Sequence, residues 1–161
     1  GTGNYGQAMP LSGGVILNMA EMNRIIDIKT GRLTCEPGAI IHDIDEAARA
    51  DSGQEMRMHP STAKTASIGG FIGGGSGGVG SIRWGGLRDL GNVLSLRVVT
   101  MEENPRVLEL NGWDLQKVSH AYGTNGVITQ VEIPLTAAYD WVDVIVGFDD
   151  FMDSARYGNA I

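Results

Sequence analysis

The sequence predicts an α+β domain with a largely antiparallel sheet and short helices. Stretches of alternating apolar and polar residues come in pairs around turn residues, as neighbouring antiparallel strands do. Short stretches with apolar residues at helical spacing lie between these pairs. With 161 residues, the chain is long enough for one ordinary domain or two small lobes.

The first half of the chain predicts a strand, a hairpin and a helix. Residues 15–18 are apolar enough for a short strand, and residues 26–29 and 32–36 alternate around Thr30-Gly31, which is typical of a hairpin turn. Apolar residues then recur at helical spacing from Ile40, which predicts a helix of about ten residues closed near Gly53.

The second half predicts a short helix followed by further strands. Ser67 fits the N-cap of a helix that begins at Ile68, and the first N–H groups of that helix would point toward an anion. Pro134 is expected to end the last strand of the sheet. The remaining predicted strands are 56–58, 93–100, 107–110, 127–133 and 141–146, and the remaining predicted helices are 113–120 and 148–161.

Charge and composition exclude several classes of function. The net charge is −7 with scattered cations, so nucleic acid and anionic membrane surfaces are not expected partners. No stretch approaches the ~18 apolar residues of a membrane span. The single cysteine cannot form an internal disulfide, and no Cys/His cluster has metal-ligand spacing. A reducing cytoplasm fits this usage, and we expect no bound metal.

Glycine is the outlier in the composition, at 24 of 161 residues, roughly double the usual ~7%. Residues 67–86 hold ten glycines, interrupted by Ile68, Phe71, Ile72 and Trp84 among other apolar residues. A flexible linker has no use for bulky side chains, so one side of this backbone should pack on a core. The other side would admit a phosphate-bearing cofactor closely. The alternative is a glycine-rich loop without a ligand.

Two further loops carry glycine. Residues 1–6 match the dinucleotide pattern G-x-G-x-x-G, but the Pro10 and glycines that follow prevent the helix which that pattern requires. The loop could still bind phosphate through N–H groups. Residues 123–126 form the third loop. Hydroxyls near the three loops belong to Thr2, Ser61, Thr62, Thr65, Ser67 and Ser76.

Catalytic groups are sparse. No Ser-His-Asp or Cys-His set can be assembled, and no carboxylate pair stands out as a general acid and base. His59 precedes a proline and either borders a cofactor or is an ordinary loop histidine. The chain therefore reads as a cofactor holder, with catalytic residues unknown.

Four stretches together resemble a known family: residues 1–7, residues 59–70 with Pro60-Ser61 and Ser67 to Gly70, residues 77–85, and residues 122–129. They resemble the flavin-binding domain of the vanillyl-alcohol oxidase/p-cresol methylhydroxylase (PCMH) type, and most of all the FAD-linked oxidases of the D-lactate dehydrogenase and glycolate oxidase type. The resemblance covers residue 1 to about residue 134. It implies a two-lobed PCMH-type FAD-binding domain with FAD between the lobes.

The resemblance also implies site residues. The pyrophosphate loop would be Gly1, Thr2, Gly3, Asn4, Tyr5 and Gly6. The second segment, which would line the pyrophosphate and flavin, would be His59, Pro60, Ser61, Thr62, Ser67, Ile68, Gly69 and Gly70. Gly73, Gly77 and Gly78 would lie near the isoalloxazine and ribityl chain, and Ile128 near the adenosine. Several members attach the flavin to a histidine at the position of Thr2, so non-covalent FAD is implied here.

By the same resemblance, residues 1–136 would be the FAD-binding domain, lacking an N-terminal part, and residues 137–161 the start of a substrate-binding cap domain. The implied activity is oxidation of a 2-hydroxy acid or another alcohol, with hydride transfer to FAD and reoxidation by an acceptor that the sequence does not indicate. A homo-oligomer is compatible with this. Two alternatives stay open: a nucleotide- or phosphate-binding module without redox activity, and a fragment that binds nothing alone.

Overall fold

The structure is a computed structural model that describes residues 2–3 and 5–161. Gly1 and Asn4, both in the predicted pyrophosphate loop, lie outside the described residues. The strands are β1 (Ile25–Lys29), β2 (Arg32–Cys35), β3 (Gln54–Met56), β4 (Ser95–Thr100), β5 (Val107–Asn111) and β6 (Gly126–Ala137). The helices are α1 (Ile41–Ser52), α2 (Ile68–Gly74), α3 (Ser81–Trp84) and α4 (Phe151–Ala160), with a 3-10 helix at Gly112–Lys117.

One antiparallel sheet organises the domain. Its strand order is β1-β2-β6-β4-β5, and β3 pairs with the last residues of β6. Gly31, at φ 80°, closes the predicted β1–β2 hairpin. The prediction of an α+β fold with a largely antiparallel sheet and short helices is confirmed.

The hydrophobic core lies between this sheet and the helices α1 and α2. It is built from alternate residues of the strands and the inward faces of both helices. Its fully buried large side chains are Leu33, Ile41, Ile44, Ile68, Ile72, Leu96, Val98 and Val131. Cys35 is also fully buried, and burial raises the pKa of its thiol to about 12, with the Glu36 carboxylate adding to the shift. The bulky residues of the glycine-rich stretch therefore do pack on a core, as predicted.

The central strand β6 is longer than expected. Pro134 does not end it: Pro134 pairs with Arg32 of β2, and the strand continues to Ala137. The pairing of β4 with β6 reaches only Glu132. Because alternate residues of an antiparallel strand turn their backbone groups to the same neighbour, the nitrogen of Pro134 faces the side where β4 has no residue. No ladder hydrogen bond is lost there.

Two predicted strands are wrong. Residues 15–18 and 141–146 carry no strand, and both stretches are mostly exposed, with no neighbouring strand in residues 2–3 and 5–161. β-branched residues favour a strand only where a partner satisfies the backbone. The chain after β6 is instead tied down by the buried carboxylate of Glu55, which accepts from Arg49, from the Tyr139 N–H (3.2 Å) and from Trp141 Nε1 (2.9 Å).

Candidate functional site

The glycine-rich stretch begins with a helix that is capped at both ends. Ser67 Oγ accepts from the Gly70 N–H at 3.3 Å, so the predicted N-cap at Ser67 is confirmed. Gly75, in the left-handed conformation at φ 63°, ends the helix and donates its N–H to the carbonyls of Phe71 and Ile72. The stretch between the two caps is seven residues long, and four of them are buried.

The first N–H groups of α2 do not point toward an anion, contrary to the sequence prediction. The Ile68 N–H donates to Ala39 O at 2.9 Å, and the Gly69 N–H donates to Pro37 O at 2.8 Å. The Gly70 N–H is the one bound by Ser67. Carbonyl groups of the loop between β2 and α1 therefore accept from the N–H groups that the start of a helix can otherwise donate to a phosphate.

A short bridge joins two loops on either side of α2. The His59 N–H donates to Val79 O at 3.2 Å, and the Val79 N–H donates to His59 O at 3.0 Å. The loop that begins at Pro60 and the glycine loop before Val79 therefore lie side by side. Three predicted site residues, His59, Pro60 and Gly78, meet at this bridge.

Some glycines of this region are required by the protein itself. A Cβ on Gly78 would lie 2.1 Å from His59 O, and one on Gly80 would lie 2.1 Å from Arg57 O. A Cβ on Gly69 would lie 2.6 Å from Pro37 Cβ. These separations are far below van der Waals contact, so only glycine fits. At Gly69 and Gly78, the side of the backbone that would carry a Cβ therefore packs against the rest of the protein.

Other glycines face open space. A Cβ on Gly73 would meet nothing within 4 Å, although this residue is buried along its helix. On Gly77 the nearest atom would be Ser81 Oγ at 3.4 Å, whereas a Cβ on Gly70 would lie 3.0 Å from Ser67 Oγ. Gly73 and Gly77 therefore leave room beside the backbone, which is what a closely approaching ligand needs.

Free donors lie in the two bridged loops. Within the described chain, the N–H groups of Ser61, Thr62, Ser76 and Gly77 donate to no protein acceptor. The side chains of Ser61 and Thr62 are exposed and add two hydroxyls. Successive free N–H groups in loops form concave anion sites. The donors predicted for the start of α2 are thus found beside it.

The segment just before the third glycine loop, residues 120–122, packs against the end of α2. The His120 N–H donates to Ile72 O at 3.1 Å, and the Tyr122 N–H donates to Gly73 O at 3.0 Å. Both residues have positive φ, 61° and 52°, a conformation that costs energy without glycine. His120 Nε2 and the Tyr122 hydroxyl are 3.2 Å apart. Sequence reasoning missed this contact because positive φ cannot be read from histidine or tyrosine.

The other predicted site residues lie apart from this surface. Thr2, Gly3, Tyr5 and Gly6 are exposed, and the one backbone hydrogen bond among residues 2–3 and 5–18 joins the Met9 N–H to Gly6 O. Ile128 is half-buried on β6, opposite Val98 of β4. The structure therefore brings residues 120–122 against α2 and shows no hydrogen bond between either of these segments and the described residues of the first glycine loop.

Charge is segregated around the site. No aspartate or glutamate lies between Glu55 and Asp89, whereas four cations do: Arg57, Lys64, Arg83 and Arg88. The net charge of −7 conceals this contrast, and a window count along the sequence would have found it. Among the described residues, no group of three or more His, Cys, Asp or Glu side chains could hold a metal ion, and no helix is long and apolar enough to cross a bilayer.

Comparisons with known proteins agree with this geometry. A family model described as an FAD binding domain matches residues 1–110. An uncharacterized FAD-linked oxidoreductase of Mycobacterium tuberculosis is 30% identical over 94% of this chain. D-lactate dehydrogenase of Archaeoglobus fulgidus is 30% identical over 84%, and mitochondrial D-2-hydroxyglutarate dehydrogenase of Arabidopsis thaliana is 33% identical over 82%. The chain spans 34%, 31% and 25% of these relatives, respectively.

Solved structures support the fold. An alkyldihydroxyacetonephosphate synthase matches with a TM-score of 0.73 at 21% identity, covering 85% of this chain and 26% of that one. The resemblance to PCMH-type FAD-linked oxidases, and FAD as the cofactor, are thereby confirmed. The chain belongs to the FAD binding domain family.

Proposed function

We propose that this chain is the FAD-binding portion of a flavin-dependent oxidoreductase that oxidises a 2-hydroxy acid or another alcohol by hydride transfer to non-covalent FAD. The observation that carries the proposal is the pair of loops joined at His59 and Val79, with free N–H groups beside glycines that bear no side chain. Family membership supports FAD as the ligand, and the names of two relatives, dehydrogenases of D-lactate and D-2-hydroxyglutarate, support the substrate class.

The residues present fit the pyrophosphate of FAD. Two pairs of adjacent N–H groups, at Ser61-Thr62 and Ser76-Gly77, would bind the phosphate oxygens, and the hydroxyls of Ser61 and Thr62 would add neutral donors. The room beside the backbone at Gly73 and Gly77 would admit the flat or extended parts of the cofactor. Ser67, Ile68 and Gly69, which the resemblance predicts to line the pyrophosphate and flavin, would instead support this surface.

Bound FAD supplies the hydride acceptor, and the protein supplies binding and orientation. Residues 56–88 contain no aspartate or glutamate, so a carboxylate that deprotonated the substrate alcohol would come from another part of the protein. Residues 1–136 would form the FAD-binding domain and residues 137–161 the start of the cap domain. The end of β6 at Ala137 and the exposure of α4 support this boundary.

Non-covalent attachment is supported by Thr2, which stands at the position where several members of the family attach the flavin to a histidine. Thr2 has no nucleophilic nitrogen, and the thiol of Cys35 is buried and held protonated by its raised pKa. We expect acid precipitation of the purified protein to release all of its flavin into the supernatant. Flavin that stayed with the pellet would contradict non-covalent binding.

The function is tested on the full-length polypeptide. We expect it to purify yellow with FAD, and D-lactate or D-2-hydroxyglutarate to bleach the oxidised-flavin absorbance without added oxidant. A colourless protein that bound no added FAD would refute the proposal. Bound FAD with no bleaching by any hydroxy acid or alcohol would refute its substrate class alone. Localisation in the cytoplasm is part of the proposal and is tested by cell fractionation.

A phosphate-binding module without redox activity is the less favoured reading. The relatives named above are oxidoreductases and dehydrogenases. That reading requires stabilisation by ADP or ATP but none by FAD, which a thermal-shift comparison measures directly.

A further inference from the structure

Within the described chain, every cation outside residues 56–88 has a carboxylate partner, and no cation inside that segment has one. Of the twelve Lys and Arg residues, eight form ion pairs in the described chain: Arg24, Lys29, Arg32, Arg49, Arg97, Arg106, Lys117 and Arg156. The four without a carboxylate partner among the described residues are Arg57, Lys64, Arg83 and Arg88. In a protein of net charge −7, unneutralised cations gathered in one segment mark a place for an anion.

Two of these cations share one aromatic ring. The guanidinium carbon of Arg57 lies 4.4 Å from the centre of the Trp84 ring, and that of Arg83 lies 5.0 Å from it. Cation–π attraction holds both groups, although they repel each other. Arg57 is further fixed by a hydrogen bond of 3.3 Å from Nη1 to Gly91 O. The two positive charges are therefore positioned before any ligand arrives.

Their hydrogen-bonding edges are largely unused. Arg57 Nε is buried and has no hydrogen-bond partner within the described residues. The exposed Arg83 guanidinium donates to no protein acceptor in the same part of the chain. The remaining N–H groups of a guanidinium held over an aromatic ring match the paired oxygens of a carboxylate or a phosphate.

We propose that Arg57 and Arg83, stacked on Trp84, form an oxyanion-binding site of this domain. The site rests on the proposed function for its ligand, which is either the pyrophosphate of FAD or the carboxylate of the hydroxy-acid substrate. It adds side-chain charge to the backbone donors of the two bridged loops. Gly80 links it to them, because the absent side chain of Gly80 lets the glycine loop lie directly on Arg57 O.

The test uses the full-length polypeptide with Arg83→Met, Arg57→Met and Arg57→Lys. Arg83 is exposed, so its variant should fold, and Arg57→Lys keeps the charge but loses the planar fork. Arg97→Met is the matched control, because Arg97 is paired with Glu109 at 2.6 Å and lies on the sheet. Dissociation constants are measured for FAD and for riboflavin, which lacks the phosphates, at low and high salt. Binding of D-lactate and D-2-hydroxyglutarate to the flavin-loaded protein is measured from the flavin spectrum.

We expect Arg83→Met and both Arg57 variants to weaken at least one oxyanion ligand roughly tenfold or more, and Arg97→Met to change none. Weaker FAD binding with a smaller salt dependence and unchanged riboflavin binding assigns the site to the pyrophosphate. Weaker hydroxy-acid binding with unchanged FAD binding assigns it to the substrate carboxylate. Affinities equal to the control for FAD and for both hydroxy acids overturn the site.

A wild-type protein that binds no FAD would refute the proposed function and leave the oxyanion site to a separate measurement. Inorganic pyrophosphate should then raise the melting temperature of the wild type and of Arg97→Met, but not that of Arg83→Met. Equal shifts in all three proteins, or no shift in any, would overturn the site.

Discussion

The helix α2 and the glycine loop that follows it, residues 75–80, are made of nearly the same residue types and do different things. In α2 the leading N–H groups are bound to Ala39, Pro37 and Ser67. In the loop, the N–H groups of Ser76 and Gly77 are free within the described chain. The N–H groups at the start of α2 are therefore bound within the protein, whereas those of the glycine loop are available to a ligand.

This difference shows that a glycine-rich sequence does not by itself say where a ligand binds. The decisive question is where each backbone donor and each missing side chain is directed. Gly69, Gly78 and Gly80 are glycines because protein atoms stand where a Cβ would be, whereas Gly73 and Gly77 have room for one. The first kind serves folding and the second leaves space for a cofactor.

The largest effect should come from Gly78→Ala. Its Cβ would lie 2.1 Å from His59 O. Because that oxygen belongs to the backbone, the clash can be relieved only if the bridge between His59 and Val79 breaks. We expect a loss of about 3 kcal/mol or more in the free energy of unfolding by urea, together with loss of FAD binding. Gly77→Ala is the control, because its Cβ meets only Ser81 Oγ at 3.4 Å. Equal stability of the two variants would contradict the division of the glycines.

A smaller effect is expected from Ser67→Ala. The hydroxyl of Ser67 caps α2, so its removal should cost about 1 kcal/mol of stability. The N–H groups proposed to bind FAD lie elsewhere, so the dissociation constant for FAD should change less than threefold. Ser76→Ala, in the open loop, should leave stability unchanged. A large loss of FAD affinity in Ser67→Ala without loss of stability would show that the start of α2 contacts the cofactor after all.

Gly73→Ala should stabilise the protein without FAD. Alanine is favoured over glycine in a helix by about 0.5–1 kcal/mol, and nothing within 4 Å opposes the new Cβ. The same methyl group would occupy space that we assign to the cofactor, so FAD binding should weaken. Melting temperatures with and without FAD measure both effects. A variant stabilised equally in the two states would show that the space beside Gly73 is not used by FAD.

The smallest expected effect is a loss of stability at acid pH. Arg24 donates to the Glu36 carboxylate at 2.7 Å and holds the pKa of Glu36 below its usual value. The stabilisation from this pair is therefore present above the ordinary pKa of a glutamate and is lost as the pH falls through the lowered one. Glu36 directly precedes the Pro37–Ala39 loop that binds the start of α2.

Melting curves of the wild type and Glu36→Gln between neutral and acid pH measure this effect. We expect the difference in melting temperature between them to shrink steadily as the pH is lowered. A difference that stayed constant, or grew in acid, would mean that the Arg24–Glu36 pair does not stabilise the loop.

Much of the fold could be predicted because local pattern and tertiary environment agree. The hairpin around Gly31, the helix from Ile41 and the cap at Ser67 each have a local signature. The continuation of β6 past Pro134 had no local signature, because it depends on where the neighbouring strand β4 begins. The false strands at 15–18 and 141–146 failed for the same reason: whether a partner exists is a property of the whole chain.

The kind of cofactor was predictable from the sequence, but the donors that would bind it were not. The glycine-rich stretch indicated a phosphate-bearing cofactor, and the family comparison agrees. The sequence could not show that the carbonyl groups of Pro37 and Ala39 accept from the first N–H groups of α2, because Pro37 and Ala39 lie about thirty positions before the helix. Nor could it reveal that Arg57 and Arg83 converge on Trp84.

The rate at which a reagent labels Cys35 reports how often this fold opens. It is the protein's only cysteine, it lies on β2 between β1 and β6, and its thiol is fully buried. The thiolate attacks a sulfur of a disulfide reagent, so the reaction requires both exposure and a fall of the thiol pKa toward its ordinary value. The labelling rate in native buffer therefore reports how frequently the central strands separate transiently, and no denaturant is needed. Any slowing of that rate by FAD would measure how far the cofactor holds the sheet closed.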